Sequence, residues 1–236
     1  MVSDTHAAAD FYATRRGALA AHLLRQRMVV LWPGLAGQSI LGLGYAAPYL
    51  KLWREQAARC IALTPAQVGA ARWPTGSASL SCTAEEDALP FPDLCFDRIL
   101  VVHGLEAAEN ARRMLREVWR VLKDDGRLLV VAPNRSGMWA HVESTPFGHG
   151  MPYSPGQVGR LMADTMFRVE RRDTALFVPP SRMRLLQRGA RLWETTGRRY
   201  VPRLAGVTIT EAVKDVYAAI PAGAGLRRRV VLAEAA

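Results

Sequence analysis

Two apolar runs without polar alternation, Ile99-Leu100-Val101-Val102 and Leu128-Leu129-Val130-Val131, constrain this chain most. A strand with one solvated face alternates apolar and polar residues; an unbroken run suits a strand covered on both faces, as in a parallel sheet. Between the runs, Ala107 to Leu122 carries a helix-compatible pattern and Asp124-Asp125-Gly126 a turn. Strand, helix and strand in that order require a right-handed crossover and a doubly wound α/β domain.

The rest of the chain extends the alternation. Residues 7–31 read as one helix ended by Trp32-Pro33-Gly34, with Phe11, Leu19, Leu23, Leu24 and Met28 near helical spacing. Short strands are expected at Ser39–Leu43, Cys60–Leu63 and Ala78–Cys82, with a helix from Pro48 to Arg59 and a helical turn at Pro65–Val68. Phe96–Val102 and Arg127–Ala132 are the strongest strands. Ser154-Pro155-Gly156-Gln157 starts a helix through Met166. Phe167–Val178 reads as a strand, Arg182–Arg199 as a basic helix whose apolar stripe (Met183, Leu185, Leu186, Leu192) faces the core, and Val207–Tyr217 as a last strand. The 236 residues therefore predict a single domain over 1–222, with an N-terminal cap helix in 1–35, an inserted basic helix at 182–200 and a basic tail at 223–236.

Ile40-Leu41-Gly42-Leu43-Gly44-Tyr45-Ala46-Ala47-Pro48 follows a strand and precedes a helix. In that setting glycines permit close approach of a ligand, and backbone N–H groups face it. Gly42-x-Gly44-x-x-Ala47 fits a dinucleotide-binding fingerprint, yet no acid stands where the ribose would need one, and Thr64 ends the second strand.

A second motif separates the readings. Glu85-Glu86-Asp87-Ala88-Leu89-Pro90-Phe91-Pro92-Asp93, followed by Phe96-Asp97, resembles the Asp-Ala-x-x-Leu-Pro-Phe-x-Asp-x-x-Phe-Asp stretch of class I S-adenosylmethionine (SAM) methyltransferases. The resemblance covers at least residues 36–135. It implies a Rossmann-like seven-stranded sheet, mostly parallel with an antiparallel C-terminal strand, and SAM as cofactor. Against the family loop Asp/Glu-x-Gly-x-Gly-x-Gly, Gly42 stands at the acid, Gly44 at the first glycine, and Ala46 and Pro48 at the other two. The resemblance places Gly42, Gly44 and Tyr45 near the methionine part of SAM and Glu85 at the adenine, whose amino group a carboxylate can accept from, with Asp87 a further cofactor-binding candidate in the same stretch. Tyr12 matches the N-terminal tyrosine that approaches the methionine end. Val101 to Glu106 resembles the segment where donor and acceptor meet. His103 there is a candidate for cofactor contact and for general-base catalysis, because its ordinary pKa lies near neutrality.

Ligands of open α/β sheets bind outside the carboxyl ends of the strands. The loop from Asn134 to Tyr153, with Trp139, His141, Phe147 and His149, is thus the expected acceptor side, and His149 is a second candidate base. The expected reaction is SAM-dependent methyl transfer to a small-molecule acceptor. The altered glycine loop keeps two alternatives open: a catalytically inactive binding or scaffold protein on the same frame, and an NAD(P)-binding Rossmann protein.

Cys60, Cys82 and Cys95 form no close pair, and the histidines no metal spacing, so neither a disulfide framework nor a metal site is expected. Reduced thiols and the lack of a targeting or spanning segment imply a cytoplasmic setting. Charge is uneven. Residues 167–236 hold 14 Lys+Arg against 6 Asp+Glu, a balance of +8 out of the total +10. Such a basic third attracts nucleic acid or an anionic membrane surface as a second class of partner.

Overall fold

The computed structural model describes residues 3–66, 72–74, 76, 78–181 and 184–216. Half of the helical turn expected at Pro65–Val68 lies outside them, as do Tyr217 and the tail 223–236. Seven strands form one sheet: β1 (Ser39–Gly44), β2 (Arg59–Pro65), β3 (Ser81–Ala84), β4 (Phe96–Val102), β5 (Leu122–Pro133), β6 (Phe167–Ala175) and β7 (Val207–Lys214). Their order is β3-β2-β1-β4-β5-β7-β6. Neighbours among β1 to β5 are parallel, and β7 runs antiparallel to both β5 and β6. Chain order reverses between β1 and β4, which makes their carboxyl ends the switch point where such sheets take ligands.

The unbroken apolar runs have the expected cause. Leu100, Val102, Leu129 and Val131 enter one core, while Ile99, Val101, Leu128 and Val130 enter the other. Successive side chains point to opposite faces, so a strand sandwiched between two cores has no position left for a polar residue. The second core is closed by α4 (Ala111–Val121) and α5 (Pro155–Asp164). Ser154 and Gln157 form a reciprocal capping box that starts α5 where the sequence places it.

Several elements differ from their expected form. The N-terminal cap is two helices, α1 (Ser3–Ala13) and α2 (Arg15–Leu31), rather than one. Thr14 breaks it: its hydroxyl donates to the Phe11 carbonyl and accepts from the Gly17 N–H, capping α2. The segment after β1 holds only a short α3 (Ala47–Leu50), followed by turns. The third strand sits later than expected, at Ser81–Ala84. The basic helix is likewise two pieces, α6 (Arg184–Arg188) and α7 (Ala190–Tyr200), separated at Gly189. Leu192 does not face the core; it is 72% exposed. The inward face of α7 is Ala190, Glu194 and Gly197, and Gly197 lies so close to the Phe177 ring that a Cβ there would stand 2.4 Å from it. Cys60 is buried, Cys82 and Cys95 are half-buried, and all three are free thiols. No helix among the described residues is long and apolar enough to cross a membrane.

Candidate functional site at the carboxyl ends of β1 and β4

Register brings the ends of the parallel strands together: Gly44 lies opposite Val102, Leu43 opposite Leu63, and Pro65 opposite Ala84. At Gly44 the chain turns with φ +72, and a Cβ would stand 2.5 Å from the Val102 carbonyl, so only glycine fits. The next N–H, of Tyr45, donates to that same carbonyl at 2.7 Å. Gly42 has a different task. It is buried in β1, where a Cβ would meet the side chains of Ala46 and Leu50 at 2.8 Å, so it seats the following turn against the strand.

His103 immediately follows β4 with φ +51, a left-handed conformation that costs a non-glycine residue on the order of 1–3 kcal/mol. The strain aims the ring at two partners. Nδ1 lies 2.9 Å from Glu106 Oε1, and Nε2 lies 2.8 Å from the Tyr12 hydroxyl. The Tyr49 hydroxyl donates to the Tyr12 oxygen at 3.0 Å. These contacts fix one consistent direction: Tyr49 donates to Tyr12, Tyr12 to Nε2, and Nδ1–H to Glu106. The tautomer follows from Glu106, since a carboxylate only accepts. Burial, and then the neighbouring Tyr49 hydroxyl, push Tyr12 well above the ordinary phenol range. Burial raises Tyr49 as well. Both therefore stay protonated donors at neutral pH.

The surroundings hold this chain of contacts from two sides. Phe11, beside Tyr12 on α1, packs edge-on against Trp139 and Phe147 of the loop after β5. Phe147 also meets the His103 ring, with centroids 4.8 Å apart. In the same loop Gly150 takes φ +72, where a Cβ would stand 2.2 Å from the Glu106 carbonyl; Met151 N–H donates to that carbonyl. Glu106 is buried, and its Oε2 has no hydrogen-bond partner among the described residues. An unpaired buried carboxylate oxygen is costly and marks a position that a ligand group can satisfy.

Tyr12, Gly44, Tyr45 and His103 are thus brought together, with the Tyr12 and Tyr45 rings stacked at 5.0 Å. A cavity beside them is lined by Tyr12, Ala13, Arg25, Tyr45 and Pro48. Glu85 and Asp87 lie on the same sheet edge beyond β3, both exposed; Asp87 is 3.7 Å from Arg113. Between them Glu86 accepts from the Glu109 N–H and fixes this loop to the segment before α4; burial raises its carboxyl, and that bond partly offsets the rise. His149 is turned to its own loop, with Nε2 2.7 Å from the Glu143 carbonyl. No cluster that could hold a metal ion occurs among the described residues. Sequence reading named His103 and Tyr12 but assigned no role to Glu106 or Tyr49. The available signal was Glu106 three residues after His103; Tyr49 gave none.

A family model described as a methyltransferase domain matches residues 40–130. That span contains β1 to β4, the acidic loop and most of β5, in the observed order of strands. Over these residues the chain is similar to a methyltransferase domain. A demethylmenaquinone methyltransferase from Deinococcus radiodurans is 36% identical over 104 residues, which is 42% of this chain and 42% of that protein. The chain therefore matches less than half the length of this curated relative. Among solved structures, a SAM-dependent methyltransferase from Thermotoga maritima superposes with a TM-score of 0.62 at 16% identity, over 90% of this chain and 97% of that one. A methyltransferase in complex with the Haloferax volcanii Trm112 activator gives 0.62 at 18% identity, over 88% and 97%. At such identities the structures establish the shared fold.

Proposed function

We propose that the protein transfers a methyl group from SAM to a small-molecule acceptor at the junction of β1 and β4. The hydrogen-bonded line Tyr49–Tyr12–His103–Glu106 carries this reading. The residues present fit the cofactor. Arg25 lines the cavity at the methionine end and offers a cation for a carboxylate. The stacked Tyr12 and Tyr45 rings offer π-faces to a sulfonium. Glu85 and Asp87 offer acceptors toward the adenine. SAM supplies an activated methyl carbon open to in-line displacement.

The chain's own contribution is positioning and proton removal. With SAM bound, methyl transfer would break the S–CH3 bond and release S-adenosylhomocysteine, and the acceptor's proton would pass to the Tyr12 oxygen while the Tyr12 proton moved to His103 Nε2. The imidazolium so formed stays paired with Glu106. His149 keeps the acceptor loop in shape through its contact with Glu143. A second reading is a non-catalytic binding protein on the same frame, favoured by the end of β2 at Thr64-Pro65, where no carboxylate meets the ribose.

Calorimetric titration with SAM and S-adenosylhomocysteine tests both. Saturable binding of each is expected, weakened about tenfold in Glu85→Ala, the loss of one charged hydrogen bond. No binding at millimolar ligand removes the enzyme reading. Normal binding with His103→Gln as active as wild type, once an acceptor is in hand, removes His103 as base.

A further inference from the structure

We infer that the outer face of α7 and the turn that follows it, Pro202–Leu204, dock on an anionic lipid surface. Ala190, Glu194 and Gly197 face inward, so the opposite side of the helix is left to solvent. That side carries large apolar groups: Leu192 is 72% exposed, Tyr200 70% and Leu204 51%, with Trp193 and Val201 also open. Arg188, Arg191, Arg199 and Arg203 are exposed among them. The one acid between residues 188 and 204 is Glu194, and it is turned away, accepting from the Phe177 N–H inside the fold. The exposed face therefore has positive charge and apolar side chains and no negative charge.

Charge complementarity selects an anionic partner, and the aliphatic groups select a lipid. Arginines pair with headgroup phosphates while their stems lie along apolar surface. Trp193 and Tyr200 are the residue types that favour the headgroup level, with Leu192 and Leu204 reaching below it. A nucleic acid would satisfy the arginines but would leave Leu192, Val201 and Leu204 in water. Placement supports the same partner. Gly137 packs on Ala205, where a Cβ would stand 2.2 Å from the Ala205 carbonyl, so exposed Met138 adjoins the Pro202–Leu204 turn. The start of β7 pairs with the end of β5, Pro133 opposite Val207. The face thus lies on the sheet edge that holds the candidate site.

Flotation of the full chain with vesicles tests the inference and needs neither SAM nor an acceptor, so its outcome is separate from that of the methyl-transfer reading. Wild type is expected on vesicles containing about one third phosphatidylglycerol and absent from pure phosphatidylcholine. Arg191→Gln/Arg199→Gln/Arg203→Gln is expected to weaken binding at least tenfold, at about fivefold per arginine near the surface. Leu192→Ser/Leu204→Ser is expected to weaken it similarly, with circular dichroism unchanged in both variants. Absence of wild-type binding overturns the inference. So does binding that both variants retain, which would place the contact on another basic segment. A single-stranded RNA that binds tightly, depends on the three arginines and ignores the two leucines also overturns it.

Discussion

Tyr12 bridges Tyr49 and His103 in the buried line, accepting from the first and donating to the second. Its loss in Tyr12→Phe leaves the Tyr49 hydroxyl without an acceptor and His103 Nε2 without a donor. Tyr49→Phe leaves Tyr12 still bonded to His103. A buried group stripped of its partner costs about 1–3 kcal/mol, whereas an average hydrogen bond is worth about 1 kcal/mol. Urea unfolding should therefore rank Tyr12→Phe as the more destabilising change, by about 1 kcal/mol or more. The double variant should cost less than the sum, because one interaction is counted in both. Equal costs, or strict additivity, would mean that Tyr12 does not bridge the two groups. His103 was legible in the sequence because a histidine after an apolar strand is conspicuous. Its pairing with Tyr12 was not, since Tyr12 lies 91 residues away and only the return of α1 over the sheet unites them.

At the level of elements, the corner between α1 and α2 decides whether that return occurs. Gly17 lies against the end of α1, and a Cβ would stand 2.1 Å from the Phe11 carbonyl, a backbone atom that cannot move aside alone. Overpacking of this kind costs about 1–3 kcal/mol, while loss of the Thr14 cap costs about 1 kcal/mol. Gly17→Ala should thus destabilise more than Thr14→Ala. It should also shift Tyr12, weakening S-adenosylhomocysteine binding in calorimetry. Unchanged stability and unchanged affinity would show that α1 docks independently of the corner. This corner explains why the first helix was misread as one. Apolar spacing continues on both sides of Thr14, and only the side chain's competition for backbone groups breaks the run. The runs Ile99–Val102 and Leu128–Val131 were legible for the opposite reason: each of their residues serves one of two cores, so burial wrote the strands directly into the sequence. The outer face of α7 was not legible. Leu192 fits an inward stripe by spacing, but Gly197 against Phe177 rotates the helix so that Leu192 faces out.

For the whole molecule, Glu211 joins the antiparallel half of the sheet to the N-terminal cap. It is fully buried on β7. Trp32 Nε1, at the end of α2, donates to it at 2.8 Å; Arg127 of β5 lies at 3.4 Å; and Arg171 of β6 pairs with both its oxygens. Arg171 also donates to the Leu31 carbonyl at 2.8 Å, so one ion cluster ties β5, β6, β7 and α2 together. Burial alone would raise the Glu211 carboxyl, but Arg171, Trp32 and Arg127 outweigh it and hold it below the usual range. A folded-state pKa below the unfolded one means stability that is present above the ordinary glutamate pKa of about 4.3 and lost as pH falls through the lower folded value. Removing one partner of a buried pair costs about 3–5 kcal/mol, and the lower end applies because Arg171 and Arg127 keep access to water. Glu211→Gln should therefore lose about 3 kcal/mol in urea unfolding at pH 7. The gap to wild type should narrow at pH 3.5, below the ordinary glutamate pKa, where the unfolded chain's carboxylate is largely protonated. Other carboxylates held low by cations, such as Asp97 and Glu117, titrate alike in both proteins and cancel in the difference. A gap that stays constant from pH 7 to pH 3.5 would place the contribution of Glu211 in packing rather than charge.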